Sequence, residues 1–144
     1  VRPVFQAARP VRFGDCDPAG IVHYPRYFDL LNGVLEDWWQ HIGLSWSAVL
    51  PGRGIVTPVS HLETHFVKPS KFGDALAVAL TVESVGRSSV RLALRLSEPA
   101  RQELRLLARV RMVCVSVQDH APRAWPDDVR ATLRSWRGDP HAPA

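Results

Sequence analysis

Asp15 and Asp17 stand either side of Cys16 in a turn-rich stretch, Gly14-Asp15-Cys16-Asp17-Pro18-Ala19-Gly20, which continues through Ile21-Val22-His23-Tyr24 into Pro25. A helix starting at Pro25 would aim its unpaired N–H groups and partial positive charge at this loop. Such an end can hold a developing oxyanion while a nearby carboxylate attacks a carbonyl or activates water. The same residues have a plainer use, since aspartates often fix a turn by bonding to their own backbone. Locally, both uses stand open. Cys16, flanked by two carboxylates, makes a poor nucleophile.

The elements that would position this loop are legible in the apolar periodicity. Residues 4–13 read as a first strand. Pro25 suits a first helical turn, where its missing N–H costs nothing. Tyr27, Phe28, Leu31, Leu35, Trp38 and Ile42 then recur at helical spacing, with Asp29, Asn32, Glu36 and Gln40 off that stripe. Gly43 is the expected stop. A helix of about 18 residues is roughly 27 Å long, and its apolar side needs a sheet to lie on. Strand-like runs at 54–67, 75–86, 89–97 and 102–118 supply one. In the second run Leu76, Val78, Leu80 and Val82 share a face; in the third Val90, Leu92, Leu94 and Leu96 do, opposite Arg91 and Arg95. In the fourth Leu104, Leu106, Ala108, Val110, Met112 and Cys114 alternate with Arg105, Arg109 and Arg111. Period-two patterning with one apolar face predicts antiparallel strands covered on one side. Gly86-Arg87-Ser88-Ser89 reads as a hairpin connection. Trp125-Pro126-Asp127-Asp128 opens a short final helix, and 138–144 reads as a loose tail. The order of elements is α+β, with the strands wrapped round the long helix.

A length of 144 residues, 46% hydrophobic and 22% charged, predicts one soluble domain over 1–144. No apolar stretch approaches the ~20 residues of a membrane span, and no basic-then-apolar leader is seen. The expectation is a cytoplasmic protein. Cys16 and Cys114 are too few and too far apart for a disulfide scaffold or a metal site. Cys114 reads as a small core residue. The net charge of +4 suits a solvated sheet face and also a polyanionic ligand. Scattered tryptophans with no basic-aromatic stripe argue against nucleic acid.

The run from Gly14 to Pro25 closely resembles the active-site signature of the 4-hydroxybenzoyl-CoA thioesterase family, in which Gly-Asp-Cys-Asp-Pro-Ala-Gly-Ile-Val precedes a Tyr-Pro helix start. The likeness continues more loosely through the helix and Gly54-Ile55-Val56-Thr57-Pro58, leaving about the last 20 residues outside it. It implies a hotdog fold, with a sheet wrapped round one long helix. It further implies a homodimer or homotetramer whose subunits join into one continuous sheet, with active sites at the interface. The implied catalytic carboxylate is Asp17, acting as nucleophile or general base, and the implied oxyanion donor is the Tyr24 backbone N–H. The implied activity is hydrolysis of an acyl-CoA, aromatic acyl groups favoured, without cofactor. His23 departs from the bulky aromatic of the 4-hydroxybenzoyl-specific enzymes, and its role would be to position the carbonyl or water.

Substrate contacts are expected from Thr57 and His61, lining the acyl pocket from the partner subunit, and from Arg87, Ser88 and Ser89 on the CoA nucleotide. An arginine beside hydroxyls and turn N–H groups suits phosphate; Lys68 and Lys71 are weaker choices. His61, Glu63 and His65 would share one strand face, which fits a polar sheet face or subunit contact better than a metal site. Gly43-Leu44-Ser45-Trp46-Ser47 lacks the second glycine of a nucleophile elbow. Two other functions fit the same residues: a thioesterase for carrier-protein-bound acyl groups, and a non-catalytic acyl-CoA-binding hotdog protein.

Overall fold

The structure is a computed structural model and describes residues 2–138. The expected tail therefore lies outside the described residues beyond Gly138. The chain forms β1 (Phe5–Pro10), a 3-10 turn (Phe13–Asp15), α1 (Pro25–His41), a one-turn helix α2 (Val49–Gly52), β2 (Ile55–Val56) and β3 (Val59–Phe66). There follow β4 (Ala75–Val85), β5 (Ser89–Glu98), β6 (Glu103–Val113), β7 (Val115–Ser116) and α3 (Asp127–Arg137). β1, β4, β5, β6 and β3 form, in that order, an antiparallel sheet. β2 and β7 pair separately.

Alternation along the central strands decides which side is covered. Leu76, Val78, Leu80 and Val82 of β4 are buried, as are Val90, Leu92, Leu94 and Leu96 of β5 and Leu106, Ala108, Val110 and Met112 of β6. α1 contributes Tyr27, Leu31, Val34, Leu35, Trp38 and Trp39 to the same core. Burying each such Leu or Val contributes roughly 1.5–3 kcal/mol. Pro25 opens α1 as expected. Gly43, with φ +83°, stops it, while the Leu44 N–H donates to Trp39 O. Phe28 and Ile42 of the expected stripe are only half-buried; Val34 and Trp39 take the deeper places.

Three expectations are corrected. The run 54–67 is two strands, not one: Thr57-Pro58 interrupts it, Pro58 having no N–H to give a ladder. The run 102–118 likewise breaks at Cys114, whose N–H donates to Ser88 O. The third correction concerns Arg105, which the alternation assigns to the solvated face and which is 2% exposed. The β5–β6 register shifts between Leu96 and Ser97: Leu96 pairs Leu106 while Ser97 pairs Leu104. Arg105 is the extra residue of this bulge, which turns its side chain inward.

The final helix also belongs to the core. α3 packs on β4 with Val129 and Leu133 at 0% exposure. Trp136 lies edge-on to Trp38 at 6.0 Å, and Trp125 lies 6.1 Å from Trp39. Arg53, just after α2, binds both Asp128 carboxylate oxygens at 2.6 and 2.8 Å. The sheet's buried face is thus covered by α1 and α3 together. No helix among the described residues is long and apolar enough to cross a membrane.

If α3 is core, Leu133→Ala costs about 2–5 kcal/mol, whereas exposed Arg134→Ala changes stability by less than about 0.5 kcal/mol. Urea denaturation of both variants checks this. Equal, small effects would return α3 to the status of an appendage.

Candidate active site

The loop before α1 is closed on itself by its own backbone. Asp17 N–H donates to Ile21 O at 2.9 Å, Gly20 N–H to Asp17 O at 2.9 Å, and His23 N–H to Asp15 O at 2.8 Å. Gly20, at φ +81°, takes the left-handed corner that the tight return needs. Asp17 is therefore held across the loop from Ile21, with Tyr24 one residue past the closing His23 bond.

The two aspartates now separate in role. Asp15 is structural: its carboxylate accepts from Arg12 N–H at 2.9 Å and lies 3.8 Å from Arg26. Asp17 uses one carboxylate oxygen, Oδ1, to accept from Ala19 N–H at 2.9 Å. That is the turn-fixing role open to it from sequence. Its second oxygen has no hydrogen-bond partner among the described residues. The half-buried side chain is thus oriented and still has an oxygen to spare.

Tyr24 precedes Pro25 at the positive end of α1. Among the described residues its N–H donates to no acceptor. The next residue has no N–H at all, so this donor stands alone at the helix tip. The rings around it form an aromatic wall: His23 lies 5.8 Å from Tyr24, and Phe66 of β3 lies 6.4, 6.0 and 6.5 Å from Tyr24, Tyr27 and Phe28. A cleft of about 220 Å³ opens here between Tyr24, Tyr27, Phe66, Val67 and Ile21.

The other expected residues lie elsewhere. Thr57, 8% exposed, lines a second cavity of about 320 Å³ with Asn32, Trp46, Leu50, Ile55 and Met112. Asn32 and Trp46 escaped the sequence reading. Asn32 was visible only as a polar residue beside α1's apolar stripe, and Trp46 only as an aromatic in a loop. The Trp46 indole N–H is buried without a partner among the described residues. His61 does not join Thr57. Ser60 is the extra residue of a shift in the β3–β6 register, and beyond it His61, Glu63 and His65 line clefts on the sheet face opposite α1. His61 Nε2 is 4.0 Å from Glu63, but the described residues contain no cluster of three metal-ligating groups.

Arg87, Ser88 and Ser89 form the β4–β5 turn, with Gly86 N–H donating to Ser89 O. Their carbonyls are taken: Arg87 O accepts from Trp125 N–H at 2.9 Å, Ser88 O from Cys114 N–H at 2.7 Å, and Ser89 O from the Trp125 indole at 3.1 Å. The Arg87 side chain extends, exposed, from a fixed turn. This turn lies at the Val59–Met112 end of the sheet, and the Asp17 loop at the Phe66–Leu106 end. Six residues of β6 separate those pairs, about 20 Å of strand. One chain does not bring Asp17 and Arg87 together.

The family model described as the thioesterase-like superfamily matches residues 11–133. The chain belongs to the thioesterase-like superfamily. By that membership it is a thioester hydrolase, and its sheet laid on a long helix is the hotdog fold. A 1,4-dihydroxy-2-naphthoyl-CoA hydrolase of Synechococcus elongatus is 30% identical over 94 residues, 65% of this chain and 69% of the relative. A 4-hydroxybenzoyl-CoA thioesterase of Pseudomonas sp. is 35% identical over 81 residues, 55% of this chain and 57% of the relative. Among solved structures, a Staphylococcus aureus protein in complex with CoA superposes with a TM-score of 0.89 at 16% identity, covering 100% of this chain and 89% of the other. The match ends at residue 133, so it takes in most of α3, which the resemblance seen in the sequence left outside.

Beneath the loop, Asp74 is buried. Burial alone would push its carboxyl up. The hydrogen bonds from Arg105 and Lys71 N–H, with the charges of Arg105 and Arg101, outweigh that and hold it below the usual range. The folded protein thus resists protonating Asp74 more than the unfolded chain does. The resulting stability is complete above the unfolded carboxylate pKa, about 4, and drains away as pH falls through the lower folded value. Asp74→Asn should be less stable at pH 7 and lose less stability between pH 5 and 3 (about one unit either side of that pKa). Urea melts across this range measure the difference; an unchanged acid slope would count against it.

Proposed function

We propose that this protein hydrolyses an aromatic acyl-CoA bearing a ring hydroxyl, with Asp17 as the catalytic carboxylate and the Tyr24 N–H as the oxyanion donor. The observation that carries this is the pairing of a half-used carboxylate with an unused helix-tip N–H across one closed loop. A thioester needs little more. Thiols have a pKa near about 8.5, so the CoA thiolate leaves without a strong general acid. The developing oxyanion meets the Tyr24 N–H and the positive end of α1. Asp17 supplies the negative oxygen, by attack on the carbonyl to give a mixed anhydride or by drawing a proton from water. His23, beside Tyr24, orients the carbonyl or the water. Rapid-quench trapping of an acyl-enzyme separates the two routes.

The aromatic assignment rests on the cavity of Asn32, Trp46 and Thr57, together with the substrates named for the two relatives. Its volume falls at the lower end of the range of about 300–1,000 Å³ typical of small-ligand pockets. Its walls are apolar save for an amide, a hydroxyl and an unpartnered indole N–H, and a ring hydroxyl would satisfy these.

The two halves of the site meet in a dimer. Among the described residues β3 pairs only with β6. All its residues but Thr64 are exposed, including Val59, Leu62 and Phe66. An apolar edge of this kind pairs with another strand or aggregates. Antiparallel pairing of two β3 strands about a two-fold sets the Phe66 end of one against the Val59 end of the other. Asp17 and Tyr24 then face the partner's Thr57 cavity, with the partner's Arg87 beyond it for the nucleotide phosphates.

Asp17→Asn should lower kcat by about 10²–10⁴-fold on 4-hydroxybenzoyl-CoA or 1,4-dihydroxy-2-naphthoyl-CoA, with the fold retained. Near-normal turnover would remove Asp17 from the chemistry. Arg87→Glu should raise KM for CoA esters and leave pantetheine esters alone. Mixing the two variants after subunit exchange should restore wild-type kcat/KM to about a quarter of the sites. Recovery no better than the sum of the separate variants would put each site within one chain.

A further inference from the structure

We propose that Arg105 is a positioning residue for Asp17, which rests on the catalytic reading of Asp17 given above. Among the described residues five polar or charged ones are buried, namely Thr57, Ser70, Asp74, Glu98 and Arg105, and three of them form one cluster under the active-site loop. The bulge in β6 turns Arg105 inward, and its guanidinium then grips residues 69–74 through Nη1 and Glu103 of its own strand through Nη2. Nη1 donates to Asp74 Oδ2 at 2.7 Å, Ser70 Oγ at 3.1 Å and Pro69 O at 3.2 Å; Nη2 donates to Glu103 Oε1 at 3.0 Å. The main chain of the same residue holds that segment too, its carbonyl accepting from Val67 and Lys68 N–H at 2.9 and 3.2 Å. Residues 67–74 are clasped from both sides by Arg105.

What this segment touches is the Asp17 loop. Ser70 O accepts from Val22 N–H at 2.8 Å, and Ile21 bridges to Lys71. The carbonyl of Ile21 in turn receives the Asp17 N–H at 2.9 Å, and Tyr24 follows Val22 by two residues. Asp74 is shared: Oδ2 also accepts from Lys71 N–H at 3.0 Å, and its carbonyl accepts from Val11 N–H at 2.9 Å, just before the loop begins. The route from Arg105 to Asp17 is three hydrogen bonds, passing through Ser70–Lys71 and then Ile21–Val22. Stability alone does not call for such a group, because apolar side chains of similar volume often stabilise as well as or better than a buried ion pair. A guanidinium with three acceptors on one segment and a fourth, Glu103, on its own strand fixes where that segment sits as well as that it is folded. Catalysis is sensitive to that placement, since a shift of about 1 Å in a reacting group can cost about 10²-fold.

The experiment measures kcat and KM for 4-hydroxybenzoyl-CoA or 1,4-dihydroxy-2-naphthoyl-CoA, whichever turns over faster, in full-length Arg105→Met, Arg105→Lys and Asp17→Asn. It is run well below each variant's unfolding midpoint, with near-UV circular dichroism to confirm packing. The expected result for Arg105→Met is a kcat lowered about 10- to 100-fold with KM within about threefold of wild type. Arg105→Lys should recover part of the loss. A folded Arg105→Met with wild-type kcat, beside an inactive Asp17→Asn, overturns the positioning role and leaves the catalytic reading standing. Full turnover in Asp17→Asn overturns both. Should Arg105→Met fail to fold, Asp74→Asn decides, since it keeps the shape and removes the charge that Arg105 grips: lowered kcat at constant KM supports the proposal, and unchanged kcat overturns it.

Discussion

The molecule is organised by the need to bury one side of α1. Six large side chains on a 17-residue helix cannot all be hidden by other helices in a chain of this size, so a sheet must take them. The five-stranded sheet presents its Leu and Val face to α1, and α3 fills the remaining width along β4. Once α1 lies on that face, its N-terminal tip is fixed beside Phe66 and residues 67–74. Everything placed at that tip, the closed loop with Asp17 above all, inherits its coordinates from the packing of the stripe.

The same architecture leaves the sheet unfinished. β1, one edge, carries Arg9 against Asp37 of α1, and its neighbourhood is blunted by charge. β3, the other edge, is apolar where it faces the α1 side and open along its length. Asp17 and Arg87 lie towards opposite ends of this sheet, and the open β3 edge runs the length between those ends.

Much of this was legible in the order of residues, and the failures have a common cause. Periodicity located α1 and the four long strand runs because burial on one face imposes it directly. The Gly14–Pro25 run pointed to the loop because helix-start chemistry and turn chemistry are local. Arg105 and Thr57-Pro58 were misjudged because an extra residue in a ladder, or a break in one, flips or ends the alternation without altering composition. The packing of α3 was not legible for a different reason. Its buried residues, Val129 and Leu133, are only two, and the tryptophans that join it to α1 lie far away in sequence. Asn32 and Trp46 share a cavity only after α1 and the loop that follows it have folded back.

The choice of Arg105 as the inward residue also bears on how the loop can move. Ser70 and Asp74 are buried polar groups, and leaving either unsatisfied costs about 1–3 kcal/mol. A displacement of residues 67–74 must break several charge-assisted bonds together, so the segment has one favourable position instead of a range. The bonds inside the 16–23 loop set its shape but not its place, since they close on themselves. The place comes from Val22 N–H on Ser70 O and from the bridge between Ile21 and Lys71. Fixing the Asp17 carboxylate relative to the Tyr24 N–H needs both shape and place. The Asp17 turn gives direction, and the Arg105 clasp gives location.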